Sequence, residues 1–253
     1  GPEPVEVPAS SPATPEPAKP FAWWVGLYAL SGFVSLSLEI VWFRFIDVAA
    51  KGAPFTFGTL LSVYLVGLAA GSLNAFLLCQ IGIVLFTVLA IQTLVALPVS
   101  FPGIDWLVRY GTQPIGVRAT AFVWDEFLIA YAVLPRLVFG PSTFLMGLGF
   151  PILQRATQAD PQGSGRRVGL LQAANIAGCT LGSLVTGLVA LEMIGTAGVI
   201  RALCVLSAAV ALFGVRATGD RRFAGVAAIL ALCAIFFPDN DRMWRRLIGN
   251  PDA

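Results

Sequence analysis

Histidine is absent from this chain, and charge is scarce: Asp, Glu, Lys and Arg make up only 12% of its 253 residues. Histidine is the commonest transition-metal ligand and the commonest general base. Its absence excludes histidine-ligated haem, and no metal or cofactor site is expected. Soluble domains carry about a quarter charged residues. A chain with half that share and 57% hydrophobic residues has too little polar surface to cover a globule in water. Net charge is only +2 and the basic residues are scattered, so nucleic acid is not an expected partner. Cys79, Cys179, Cys204 and Cys233 stand singly in or beside apolar runs, with no CxxC pair, and read as buried thiols.

What the chain has instead is long apolar runs, and the expected class is all-α: a polytopic transmembrane bundle of about seven spans. Residues 1–20 hold proline at positions 2, 4, 8, 12, 15, 17 and 20. They read as an extended tail, and they lack the basic start and apolar run of a leader peptide. The bundle occupies 21–237, and 238–253 reads as a polar tail. The first span runs from about Phe21 to Ile46, with Trp23, Trp24 and Tyr28 at its start and Trp42 near its end as interfacial aromatics. The second runs from about Phe55 to Cys79 and the third from about Ile81 to Val99, with a very short turn between them.

Residues 119–154 would form a helix of about 54 Å, too long for one crossing of about 30 Å and short for two. Asp125 and Glu126 would cost roughly 2.5–3.5 kcal/mol each at membrane depth. Residues 119–127 are therefore placed at the interface and a span at about Leu128–Gln154, kinked at Pro135, Pro141 and Pro151. A turn at Gly140-Pro141 is the competing reading and makes eight spans. Further spans follow at about Val168–Met193 and, after a tight turn at Gly195, Ile194–Val215. Phe223–Phe237 crosses only by thinning the bilayer, being about 22 Å long, or else lies half-buried at the interface. Basic residues divide nearly evenly between the two sides, so the positive-inside rule does not choose an orientation.

Helix packing is expected at Gly67-x-x-x-Gly71 and Gly178-x-x-x-Gly182, with Ser183 and Gly187 as a second small pair, since close backbone approach drives association in lipid. Four charges stand in or beside the spans: Glu39, Arg44, Arg136 and Arg201. Arg44 pairs best with Asp47 on its own helix. Glu39 needs a partner from another helix, with Arg136 and Arg201 as candidates; the open readings are a buried ion pair, a proton or polyamine site, or a protonated acid. Gln172 and Asn175 share a face and suit interhelical hydrogen bonds. Trp23, Trp24, Trp244, Arg245 and Arg246 read as interfacial anchors beside lipid headgroups.

Three stretches together resemble a known family: Ser31-Gly-Phe-Val-Ser-Leu-Ser-Leu-Glu-Ile-Val-Trp-Phe-Arg44, then Leu134-Pro-Arg-Leu-Val-Phe-Gly-Pro-Ser-Thr-Phe-Leu-Met-Gly-Leu-Gly-Phe-Pro151, then Arg166-Arg-Val-Gly-Leu-Leu-Gln-Ala-Ala-Asn-Ile-Ala-Gly-Cys-Thr-Leu-Gly182. The pattern, over about 21–249, resembles the membrane half of spermidine-synthase-like integral membrane proteins. The resemblance implies a bundle like half a major-facilitator transporter, joined in that family to a soluble aminopropyltransferase-type domain. The chain departs from that family twice. No strand, Gly-rich turn and helix follow to hold an adenosylmethionine-type cofactor. The basic loop such proteins carry after the second span shrinks to Cys79-Gln80-Ile81. The expected function is a non-catalytic scaffold or accessory subunit in a bacterial inner membrane, in contact with lipids and other membrane subunits, and not an enzyme. The alternatives are a half-transporter for a polyamine-like cation, or the anchor of an enzyme whose soluble domain lies outside this sequence.

Overall fold

The computed structural model describes residues 20–50, 73–97, 128, 132–157 and 164–248. All regular structure among them is helical. In chain order the helices are α1 (Phe21–Ala50), α2 (Leu73–Ala96), α3 (Leu134–Thr157), α4 (Ser164–Leu184), α5 (Leu191–Thr218), α6 (Arg222–Phe236) and α7 (Asn240–Ile248). A wide helical turn, Val185–Ala190, joins α4 to α5. Three stretches are long and apolar enough to cross a membrane: Phe21–Trp42, Ala75–Ala96 and Arg166–Thr218. The pair Arg222–Phe236 and Asn240–Arg246, bent by 81°, makes a fourth if taken together.

Two expected turns are corrected. The chain does not reverse at Cys79-Gln80-Ile81, because α2 runs unbroken through it. Gln80 is a good helix former, and nothing beside it breaks a helix. Nor does it turn at Gly140-Pro141, because α3 continues through both. Proline removes one helical hydrogen bond at a cost of about 3 kcal/mol, and packing on α2 offsets that here. One residue on, Ser142 Oγ donates to the Ile83 carbonyl at 2.9 Å and lies 3.0 Å from Thr87 Oγ1. The eight-span reading required that turn.

The tight turn at Gly195 is real: its φ of 67° and ψ of 177° interrupt the helix inside α5. Arg166–Thr218 is 53 residues, about 80 Å if straight. The chain instead folds back on itself there.

Contacts set the directions. Ala29, Phe33 and Ile40 of α1 meet Gly178, Gly182 and Gly187 in that order, so α1 and α4 run parallel. Phe76, Gly82 and Ile83 of α2 meet Gly149, Leu145 and Ser142 of α3, so those two are antiparallel. Trp24 and Tyr28 cluster with Phe76, Cys79, Ile152, Leu153 and Leu171. At the other end Trp42 and Phe45 pack on Phe139, with ring centroids 5.2 and 6.1 Å apart. α1 is therefore antiparallel to α3 and parallel to α2. Trp23 lies 5.6 Å from Phe213, so α5 runs back toward the start of α1. α6 reverses again after a left-handed Gly219 (φ 72°), whose N–H caps the Val215 carbonyl at 2.8 Å. We call the end where α1 begins the head and the end where α7 lies the tail.

Candidate functional site

The closest helix contact is the α1–α4 seam. A Cβ added at Gly178 would strike the Ala29 carbonyl, one at Gly182 the Phe33 carbonyl, and one at Gly32 the Asn175 carbonyl. Only glycine lets two backbones meet this way. Ser37, fully buried, reaches from α1 to the Gly182 carbonyl at 3.4 Å. Gly178 and Gly182 thus lie where the α1 and α4 backbones touch. Gly67 and Gly71 lie outside the described residues. Toward the tail the seam opens: Ser183 is half-buried, Gly187 is exposed, and a Cβ at Gly187 would meet only Ile40 Cδ1 at 3.7 Å. Gly32 escapes a sequence reading because it has no glycine three or four residues away.

Glu39 is half-buried on α1. It follows Gly32 by seven residues, two turns along the same stripe. Among the described residues no arginine pairs with it. Arg201 is engaged elsewhere: its Nη2 donates to the Phe237 carbonyl at 2.6 Å, at the C-terminus of α6. That placement follows from the free carbonyls and negative dipole of a helix end. Arg136 and Arg44 are exposed at the tail end. Asp47, the expected partner of Arg44, has a side chain outside the described residues. Asn175 lines the seam beside Gly32, whereas Gln172 is exposed.

The tail end is closed by α7. Its N-terminus is capped by Asp239, whose Oδ1 accepts from the Arg242 N–H at 2.7 Å. Met243 is fully buried, Trp244 is half-buried with its ring 6.5 Å from Phe45, and Arg242 and Arg245 face outward. Asn240–Ile248 is thus a helix that packs on the bundle. Asn240 reaches across to the break at Gly195: its Oδ1 accepts from the Thr196 N–H at 3.1 Å and the Ala197 N–H at 3.5 Å. These are orphan donors of a helix start, capped by a residue on another helix. Nothing in the sequence links positions 195 and 240. Replacing Asn240 with Ala should cost about 1 kcal/mol of stability, read as a lower melting midpoint in detergent. An unchanged midpoint would show that water caps that end equally well.

At the head end Trp24 is buried, and Trp23 stacks edge-on to it at 5.2 Å. Arg167 lies over the Phe21 ring at 5.9 Å. Between α1, α2 and α5 lies a cavity of about 20 Å³, lined by Ser31, Val34, Gln80, Ile81, Ser207 and Val210. It has room for about one water and is far too small for a polyamine. The four cysteines are free thiols, three buried and Cys179 half-buried. No protein-family model, curated protein or solved structure matches this chain.

Proposed function

We propose that this chain is a non-catalytic integral membrane scaffold or accessory subunit whose helices pack against partner membrane proteins. The observation that carries this reading is where its large apolar side chains point. Leu137, Leu188, Met193, Ile235 and Phe236 are 71%, 68%, 76%, 70% and 75% exposed. They lie on α3, α4's continuation, α5 and α6. Apolar exposure on that scale is stable in hydrocarbon or against another protein, and not in water. Among the described residues the helices bury a shared apolar core, with Leu38, Leu77, Ile83, Ile200 and Leu230 fully buried in it, which supports a structural role. The resemblance to the membrane half of spermidine-synthase-like proteins agrees with such a role, as does a bacterial inner membrane.

The directions of the helices support seven spans. α1 and α2 run parallel, so two consecutive spans in the same direction need a return between them. With α3 to α6 alternating thereafter, the count is odd. Half a major-facilitator fold is compatible with that order.

Purification from native membranes in a mild detergent tests the subunit role. The expected result is a stoichiometric complex with other membrane proteins, read by mass and light scattering. A stable, lone monomer would count decisively against it.

A further inference from the structure

The α5–α6 hairpin has a fixed register. At its head end a Cβ added to Gly214 would lie 3.1 Å from the Phe223 ring. At its tail end Arg201 reaches the Phe237 carbonyl. Ten residues from Gly214 along α5 stands Cys204, and ten residues from Phe223 along α6 stands Cys233. Both helices are unbroken over that length, so each thiol lies about 15 Å from the same starting contact. Ten residues is also a heptad plus three, a step that returns a side chain to the seam. Burial repeats the match: Ala211 and Ala227, Ser207 and Leu230, then Cys204 and Cys233 are buried in turn on the two helices. The two cysteines therefore share one layer of the hairpin.

The layer suits a bond between them. Packed helices stand about 8–10 Å apart with Cα atoms about 2.3 Å off each axis. Residues facing each other in one layer then come within the roughly 4.4–6.8 Å between Cα atoms that a disulfide spans. The small residues Ser207, Ala211, Gly214 and Ala227 keep this seam at the close end of that range. From a third helix, α2, Gln92 Nε2 donates to the Cys233 carbonyl at 3.3 Å and holds that turn of α6 in place. Cys233 stands one turn before Phe237, about 6 Å from the polar tail end. Both residues are free thiols.

We infer that Cys204 and Cys233 are a redox pair that closes into one disulfide between α5 and α6, with a lipid-soluble quinone as the oxidant. The Sγ–Sγ bond forms as two S–H bonds break. Both protons and both electrons pass to the quinone, which leaves as the quinol. A quinone accepts two electrons and two protons and dissolves in the hydrocarbon where the pair lies. The disulfide it leaves is uncharged and suits that solvent. Closure ties the short α6 to α5 beside the corner that Arg201 and Asn240 hold. The inference stands apart from the subunit role, since it needs only this chain, lipid and a quinone.

The test uses the full chain, reduced and placed in lipid vesicles with a ubiquinone-type benzoquinone whose ring is fully substituted, so that thiols are oxidised rather than added to it. After denaturation a maleimide reagent counts the free thiols, and mass spectrometry of peptides locates the link. The count should fall from four to two, with one quinol formed per chain and one linked peptide joining positions 204 and 233. Cys204→Ala and Cys233→Ala should each keep their remaining thiols free under the same treatment. Four free thiols in the quinone-treated wild-type chain would overturn the inference. So would a link made through Cys79 or Cys179, or one that survives either single replacement.

Discussion

Gly178→Leu and Gly182→Leu should each break the α1–α4 seam, and even the alanine variants should be strongly destabilised. The nearest atoms to a new Cβ are backbone atoms, the Ala29 carbonyl for Gly178 and the Phe33 carbonyl for Gly182, with the Phe33 Cα at 2.9 Å. A side chain can rotate away from an intruding methyl, but a helix backbone moves only as a whole. Overpacking a core costs about 1–3 kcal/mol when side chains yield, and these sites belong at or above the top of that range. Gly187→Ala is the control. Its Cβ meets Ile40 Cδ1 at 3.7 Å, an ordinary contact, and alanine favours helix over glycine by up to about 1 kcal/mol. Gly187→Ala should therefore be neutral or stabilising while Gly178→Ala and Gly182→Ala lower the melting midpoint in detergent. Wild-type melting for either of the latter would mean that α1 and α4 do not meet along this line.

The second large effect is topological. A cysteine replacing Arg221, at the head end, and one replacing Arg242, at the tail end, should be reached by a membrane-impermeant thiol reagent from opposite sides of the membrane. The background replaces Cys79, Cys179, Cys204 and Cys233. The argument lies in the α5–α6 hairpin. Arg216, Arg221 and Arg222 stand around its Gly219 turn, while Arg242, Arg245 and Arg246 stand on α7 beyond its other end. Between them α6 is 15 residues, about 22 Å, shorter than the hydrocarbon core. A guanidinium at mid-bilayer costs roughly 2.5–3.5 kcal/mol on insertion scales, whereas mismatch costs fractions of a kcal/mol per Å. Thinning the bilayer and extending the arginines outward is the cheaper course, so each set of arginines should settle in its own headgroup layer. The 81° bend then lays α7 along the surface. Labelling of both positions from one side would refute the crossing of α6 and the odd span count.

Part of the candidate site was legible beforehand, because some of its signals are local. Gly178 and Gly182 are four apart, which puts them on one helix face whatever that face meets. Gly195 ends an apolar run longer than a bilayer, so a reversal near it follows from length alone. Cys79-Gln80-Ile81 makes no turn because a single glutamine does not break a helix whose neighbours on both sides favour it. The Gly140-Pro141 alternative failed because a proline's local cost is decided by what the helix packs on, here α2 through Ser142, Ile83 and Thr87. The pairing of Glu39 with Arg136 or Arg201 was a matter of charge alone, and the geometry of α6 claimed Arg201 for a helix end.

Hydropathy and helical character are sums over neighbouring residues, so the sequence by itself determined that this protein is all-helical, apolar on its outside and suited to hydrocarbon. It also determined where small residues permit close approach. Only the tertiary structure decided that α1 runs parallel to α4, that Gly32 answers Gly178 and Gly182, and that Asn240 caps the break at Gly195. Those facts depend on which distant segments lie side by side, and contact energies between helices are set by relative position and direction, which no local pattern along the chain encodes.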